Sequence, residues 1–208
     1  MNDFSEQELV KSARRGDADA FETLVRRYER AVYALALRMC GNDADAQEAA
    51  QEAFLSAWQS LPFFRGEASF ATWLYRLTTN ASIDLLRREK RQRTISLDDE
   101  AAGLDLPDSR LTPHEEAERT ELREQLQAGL NELPDEYRAV LILRELHQLS
   151  YQEIAEVTRL ELGTVKSRIS RARALMRNYL TAAGNFFEKY PSNEVKKRTA
   201  VKRSEREE

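Results

Sequence analysis

Cysteine and histidine are almost absent from this sequence, which has Cys40, His114 and His147 among its 208 residues. One cysteine excludes an internal disulfide, and two histidines leave no cluster with metal-ligand spacing. We therefore expect no metal and no cofactor, and we interpret these three side chains as structural. A glycine-rich phosphate loop and a nucleophile elbow are also missing, which argues against an enzyme.

Long apolar runs and glycine are scarce as well. No run approaches the roughly 18 apolar residues of a membrane span, so we expect no membrane insertion. The first residues, Met-Asn-Asp-Phe-Ser-Glu, lack the apolar segment of a signal peptide, which predicts a cytoplasmic protein. Only seven glycines occur, 33% of the residues are charged, and apolar residues recur mostly with helical spacing. The sequence predicts an all-α fold.

The clearest pattern is a helix-turn-helix over residues 149–176. Ser150 and Glu153 have capping-box spacing at the start of a short helix, about 151–158. A turn at 160–163 leads into a second helix that begins near Gly163. The apolar face of this second helix, at helical spacing, consists of Val165, Ile169, Ala172 and Met176.

The opposite face of the second helix is basic and rich in hydroxyls. Between Gly163 and Arg177 there are five basic side chains and no acidic one. Such a helix suits a DNA major groove, because Arg can donate two hydrogen bonds to guanine or phosphate. A solvated basic face in a helical bundle is the alternative, which the capping box and turn make less attractive. The candidate DNA-binding residues are Lys166, Ser167, Arg168, Ser170, Arg171 and Arg173.

Two amphipathic helices are predicted near the N-terminus. A Ser-x-x-Glu capping box opens a short helix within residues 5–15. Asp17 or Asp19 caps the next helix, whose apolar stripe predicts a buried core and which stops at Gly41.

Asp43 is predicted to cap a third helix over 44–61, which Pro62 ends. Alanines dominate its inner stripe, so neighbouring helices can approach closely. Its outer face is acidic, and we weigh a solvated surface against a docking surface for a basic partner helix. The residues of that face are Asp45, Gln47, Glu48, Gln51, Glu52 and Leu55.

A loop at 61–68 exposes aromatic side chains beside Arg65, and Ser69 caps a fourth helix from Phe70 to about Arg91. Aromatic groups can stack on unpaired bases, and polar groups on the next helix can read their edges. The alternative is that Phe70, and in part Trp73, belong to the core. The candidate residues for unpaired nucleic acid are Phe64, Arg65, Trp73, Arg76, Asn80 and Arg87.

Charge is segregated along the chain, although the net charge is −4. Residues 85–93 carry five basic groups against one acidic group, whereas 96–118 carry eight acidic groups against one basic group. Local charge decides where a phosphate backbone can bind. We predict helical domains at 1–93 and 115–184, a flexible acidic linker at 94–114, and a disordered charged tail at 185–208.

These stretches together resemble a known family. Residues 45–58 (DAQEAAQEAFLSAW), 64–77 (FRGEASFATWLYRL) and 84–88 (DLLRR) resemble sigma region 2 of the extracytoplasmic-function (ECF) sigma factors. Residues 133–138 (LPDEYR), 149–155 (LSYQEIA) and 163–173 (GTVKSRISRAR) resemble sigma region 4. The two blocks occur in the family's order, with an acidic linker between them.

The resemblance implies an RNA polymerase sigma factor made of two small helical domains on a flexible linker. The acidic face of the third helix would bind the clamp coiled coil of core RNA polymerase, and the helices before the helix-turn-helix would contact its flap. The loop at Phe64 and the helix through Asn80 would read the −10 element of promoter DNA and hold a flipped base, while Arg87 and Arg88 grip the backbone. The second helix of the helix-turn-helix would read the −35 element. An anti-sigma factor is the implied regulator.

Two other functions are weighed against this one. A free-standing helix-turn-helix regulator would bind a palindrome as a dimer. It would need a dimerisation helix, and it would have no use for the acidic face or the Trp-Leu-Tyr helix. A helical enzyme would need site residues that the sequence does not offer.

Overall fold

A computed structural model of the protein describes residues 5–93 and 113–182. The predicted charged tail and nearly all of the predicted linker, 94–112, lie outside these residues. The described chain is α-helical apart from turns and one 3-10 turn, which confirms the all-α prediction. The elements are α1 (Glu6–Ala13), α2 (Ala18–Cys40), α3 (Asp43–Ser60), the 3-10 turn (Leu61–Phe63), α4 (Phe70–Arg93), α5 (Pro113–Asn131), α6 (Asp135–Glu145), α7 (Tyr151–Thr158) and α8 (Leu162–Ala182).

The helix ends follow the sequence signals except at the start of α3 and at the start of α8. Asp17 caps α2 by accepting a hydrogen bond from the backbone N–H of Ala20 at 3.1 Å, and Gly41 ends α2 with a φ of 86°. The predicted cap of α3, Asp43, is wrong, because Asn42 accepts from the N–H of Asp45 at 2.9 Å. Asn42 has the extended backbone that an N-cap needs, whereas Asp43 is already helical.

Helices α1 to α4 pack into an N-terminal bundle. The inner face of α3 is almost entirely alanine, and small side chains allow α2 and α4 to approach it closely. Leu35, Met39 and Leu74 fill the space between these helices and are fully buried. The inner-stripe prediction for α3 is confirmed by the burial of Ala46, Ala50, Ala53, Ala57 and Leu61.

Helices α5 to α8 form a C-terminal bundle that contains the helix-turn-helix. The predicted capping box of α7 is present, with reciprocal bonds between Ser150 and Glu153. The turn differs from the prediction, because its left-handed residue is Arg159, at φ 55°, and α8 already begins at Leu162. Gly163 therefore lies within the first turn of α8. The predicted apolar face of α8 packs inward, with Val165, Ile169 and Ala172 buried.

The two bundles pack against each other, whereas the sequence was interpreted as two separate modules. Arg138 of α6 is 5% exposed and lies at this junction. Its guanidinium donates hydrogen bonds to the carbonyls of Leu130 at 2.8 Å and Asn131 at 2.9 Å, and also to the carbonyl of Met39 in α2. One arginine thus satisfies the carbonyls at the ends of two helices from different bundles.

Candidate nucleic-acid interface

The basic face of α8 has an inner and an outer part. Lys166, Ser167, Ser170 and Arg171 are exposed, and together they form a continuous cationic and hydroxyl-bearing strip. The predicted −35 residues Arg168 and Arg173 turn instead toward α6. Arg168 pairs with Glu136 at 2.7 Å, and Arg173 pairs with Glu145 at 2.6 Å.

Each of these ion pairs places an arginine at the edge of the strip. The hydrogen bond to Glu145 raises the pKa of Arg173, so the guanidinium of Arg173 stays protonated. Each pair is at least partly exposed, and ion pairs of this kind contribute at most about 1 kcal/mol. A DNA phosphate could therefore replace either glutamate at small cost.

The second candidate surface surrounds a cavity of about 490 Å³ at the start of α4. The 3-10 turn, with Pro62 in its first positions, directs Phe63 into solvent, where 80% of the residue is exposed. Phe64 is half-buried and packs against Trp73 with ring centroids 4.8 Å apart. The cavity is lined by Phe63, Phe64, Arg65, Glu67, Ala68, Trp73, Arg76 and Glu156.

Trp73 is the predicted site residue whose position differs most from the sequence interpretation. It is only 7% exposed and packs on Phe70 as well as Phe64, so it forms a wall of the cavity. Phe63 is the aromatic side chain that the sequence interpretation missed. The available signal was the preceding Pro62, because proline has a fixed φ that suits the first positions of a helical turn and so marks a turn at this point.

Three further predicted residues of α4 follow Arg76, which itself lines the cavity. Asn80, Arg87 and Arg88 are exposed, and Arg76 is half-buried. Arg87 lies 3.7 Å from Asp84, and Arg88 lies 3.5 Å from Glu48 of α3. These long contacts between exposed groups leave both guanidinium groups available to an anionic ligand.

The acidic face of α3 lies on a different helix from both basic surfaces, and it adjoins the α4 surface where Glu48 pairs with Arg88. Gln47, Glu48, Gln51 and Glu52 are exposed, and Leu55 is 50% exposed among them. Asp45 differs, because it is half-buried and accepts a hydrogen bond from the side chain of Asn42 at 2.5 Å. Five of the six predicted residues thus share one accessible face, and the sixth supports the helix start.

Residues 5–93 and 113–182 lack two other kinds of feature. No helix there is both long enough and apolar enough to cross a membrane. No three His, Cys, Asp or Glu side chains in this part of the chain are grouped as a metal site requires.

Comparison with known proteins identifies the family. The Sigma-70 region 2 family matches residues 24–92, and the Sigma-70 region 4 family matches residues 123–176. The chain is 36% identical over 178 residues to the ECF RNA polymerase sigma factor SigW of Bacillus subtilis (strain 168), covering 82% of this chain and 94% of SigW. It is 39% identical over 173 residues to the RNA polymerase sigma-H factor of Pseudomonas aeruginosa, covering 81% of this chain and 90% of that protein.

The chain therefore belongs to the sigma-70 family. Within that family it is an ECF RNA polymerase sigma factor, as the resemblance implied. The alternative of a free-standing regulator gains no support. The fold agrees with that of CnrH, which was solved in complex with the cytosolic domain of CnrY. The match to that structure has 26% sequence identity and a TM-score of 0.62, and it covers 85% of this chain and 97% of that chain.

Proposed function

We propose that this sigma factor binds polymerase and the two promoter elements through three different surfaces. The face of α3 binds core RNA polymerase, the cavity and α4 read the −10 element, and α8 reads the −35 element. Residues 1–93 and 115–184 are the corresponding domains, joined by a tether at 94–114. The observation that supports this division is the separation of one acidic and two basic surfaces on different helices of one chain.

The −35 element is read by the exposed strip of α8. Lys166 and Arg171 contact phosphates or guanine, and Ser167 and Ser170 adapt to either. Arg168 and Arg173 join when a phosphate replaces Glu136 and Glu145 as their partner. Phosphate contacts set the position of α8, and each good bidentate base contact adds about 1–3 kcal/mol of discrimination.

The −10 element is read by unpaired bases in and around the cavity. Phe63 offers an exposed ring for stacking, and Trp73 with Phe64 supplies an apolar wall. Arg65, Arg76 and Asn80 can bond base edges, while Arg87 and Arg88 hold the backbone. Trapping an extruded base compensates the few kcal/mol that its unstacking costs, so melting requires no covalent chemistry by the protein.

Core polymerase is bound at two places. The carboxylates of Glu48 and Glu52, with Leu55 between them, suit a basic helix with an apolar stripe, as the clamp coiled coil would offer. In the C-terminal bundle, an apolar groove of about 490 Å³ lies between α5, α6 and α8 and includes Leu130, Leu146 and Met176. We assign the flap of the polymerase to this groove.

Regulation and location complete the proposal. CnrH was solved in complex with the cytosolic domain of CnrY, and by analogy a protein partner binds this chain. The resemblance to ECF sigma factors implies that this partner is an anti-sigma factor. Because promoter DNA and RNA polymerase are its partners, the protein acts in the cytoplasm.

The test is reconstitution with core polymerase on a library of genomic fragments, followed by sequencing of the transcripts. We expect initiation sites that share sequence motifs near −10 and −35 and that disappear when the chain is omitted. Failure to associate with core polymerase would overturn the proposal. Binding of the free chain to a palindrome would instead favour a dimeric regulator.

A further inference from the structure

The apolar groove between α5, α6 and α8 presents side chains that would be more stable under cover. Its walls are formed mainly by leucine, isoleucine and methionine, and Leu146 on one wall is 54% exposed. Arg38, Arg173 and Arg177 also line the groove, against a single carboxylate, that of Glu145. Exposed apolar surface bordered by polar groups is typical of a binding site. The groove therefore suits an apolar segment that carries a carboxylate.

The groove follows the last turns of α8 to the end of the described chain. Met176 and Leu180, one turn apart on α8, both line it. The helix ends at Ala182, two residues after Leu180, and the sequence continues through residues 183–208. The segment that follows α8 therefore starts beside the groove.

The first part of the tail differs in composition from the rest of it. Residues 185–190 have the sequence NFFEKY, whereas residues 191–208 contain no aromatic residue. The aromatic residues of the first part are Phe186, Phe187 and Tyr190. Each such ring can bury about 150–250 Å². Since Glu188 lies among these rings, the segment has both the apolar side chains and the carboxylate that the groove suits.

The distances allow this segment to fold back along α8. Gly184 is the residue type that usually ends a helix with a reversal of the chain. Met176 lies six residues before Ala182, which is about 9 Å along the helix at about 1.5 Å per residue. Phe186 lies four residues after Ala182 and can reach about 13 Å. Phe186 and Phe187 can therefore reach the part of the groove beside Met176.

We propose that residues 185–190 dock in this groove in the free chain, with Phe186 and Phe187 among the leucines of α5 and α6 and the carboxylate of Glu188 at Arg177. Arg177 is exposed, and none of the ion pairs within the described part of the chain involves it. Docking covers apolar surface of the groove and of the two rings together.

One consequence of docking rests on the proposed function. Because the polymerase flap is assigned to the same groove, the flap must displace residues 185–190 before it can bind. The tail then lowers the affinity of the chain for core polymerase by the fraction of molecules in which the groove is occupied.

The first test measures docking in the free full-length chain by paramagnetic relaxation. A nitroxide is attached through Ser192→Cys, just after the segment. Cys40 is buried, and burial raises the pKa of its thiol to about 12, so Cys40 stays unlabelled. We expect the methyl signals of Met176 and Leu146 to lose intensity relative to the reduced label. Leu162, about 30 Å from the end of α8 along the helix, should keep its intensity.

Two double variants with matched chemistry test which side chains dock. Phe186→Ser with Phe187→Ser should restore the methyl signals of the groove. Val195→Ser with Val201→Ser, which also replaces two apolar residues of the tail, should leave them weak. Full intensity with the wild-type tail, or equal intensity in the two double variants, would overturn the proposal.

A charge exchange tests the position of the segment. Glu188→Arg should restore part of the lost intensity, and adding Arg177→Glu to the same chain should reduce the intensity again. Mixing spin-labelled chain with isotope-labelled chain that lacks the nitroxide tests for docking between copies. An equal loss of intensity in that mixture would assign the groove to the tail of a second copy and would overturn docking within one chain.

A titration with core polymerase tests the consequence separately. We expect Phe186→Ser with Phe187→Ser to bind core polymerase about two- to fivefold more tightly than the wild type, and the valine variant to match the wild type. Docking in the free chain with equal affinity of all variants for core polymerase would overturn the assignment of the flap to the groove. Failure of the wild-type chain to bind core polymerase would overturn the proposed function, whereas docking is decided by the measurements on the free chain.

Discussion

The imidazole of His147, in the connection between α6 and α7, lies against the phenol ring of Tyr75 in α4 at a centroid distance of 4.7 Å and a tilt of 57°. This pair joins the N-terminal and C-terminal bundles. Burial lowers the pKa of His147, because a charged imidazole would lose its hydration there. The packing of the bundles is consequently linked to the protonation of one side chain.

Acidification should weaken the packing of the bundles. In an unfolded chain the imidazole has a pKa near 6.5, and in the packed form the pKa is lower. The packed form therefore has its full stability above about pH 6.5 and loses it as the pH falls below that value. We expect the urea midpoint to fall between pH 7.5 and 5.5, and we expect His147→Gln to reduce this fall. The matched control is the other histidine: if His114→Gln reduces the pH dependence and His147→Gln does not, the assignment is wrong.

Removal of the Arg138 guanidinium should destabilise the protein strongly. Arg138→Ala leaves the buried carbonyls of Leu130 and Met39 without this donor, and we expect a loss of about 3 kcal/mol in the free energy of unfolding. Urea denaturation measures the change. Arg171→Ala, at an exposed arginine, is the control and should alter stability by less than about 0.5 kcal/mol. A loss below about 1 kcal/mol for Arg138→Ala would contradict the role assigned to the junction.

Substitution of Phe63 should affect DNA binding, whereas substitution of Trp73 should affect stability. Phe63→Ala removes an exposed ring, so stability should stay within about 0.5 kcal/mol while binding of an unpaired −10 strand by holoenzyme weakens by about 1–3 kcal/mol. Trp73→Ala empties a buried site and should lower the free energy of unfolding by about 3–5 kcal/mol. Thermal or urea unfolding and fluorescence anisotropy with promoter-derived strands measure the two effects. A Phe63→Ala protein that binds the strand as well as wild type would remove Phe63 from the site.

Charge reversal on the outer face of α3 should abolish polymerase binding. Glu48→Lys combined with Glu52→Lys replaces two exposed carboxylates by cations, which would repel a basic partner helix. Co-purification with core polymerase and a titration by fluorescence anisotropy measure the loss. The control with an identical change in net charge is Glu22→Lys combined with Glu29→Lys, both exposed on α2. If the two double variants bind polymerase equally well, the α3 face is merely a solvated surface.

Arg171 should matter for the −35 element alone. It is exposed on α8, and none of the ion pairs within 4.0 Å among the described residues involves it. We expect Arg171→Ala to weaken binding of holoenzyme to −35 duplex DNA by about 1–3 kcal/mol and to reduce the salt dependence of binding. Affinity for core polymerase should be unchanged, with Arg26→Ala on α2 as the control. Equal losses of DNA and polymerase binding would point to damage of the C-terminal bundle instead.

Local signals in the sequence predicted much of the fold. The capping pairs at Ser5 and Ser150, the stop at Gly41 and the apolar stripe of α8 act within a few residues, so their physical effect is visible in the sequence. The misassigned cap of α3 also involves local chemistry, because Asn42 and Asp43 are both good caps and only the backbone after Gly41 decides between them. The direction of Phe63 depended in the same way on the 3-10 turn.

The amino-acid sequence by itself determined the helices, the family and the chemical character of the three surfaces, since periodicity, capping and charge are properties of short segments. Tertiary structure alone decided that Trp73 is buried in the wall of the cavity and does not present an exposed ring. It also decided that Arg168 and Arg173 pair with glutamates of α6 and that Glu156 lies at the cavity beside α4. These outcomes depend on contacts between residues far apart in the chain. No local pattern specifies such contacts, because they arise only when whole helices pack.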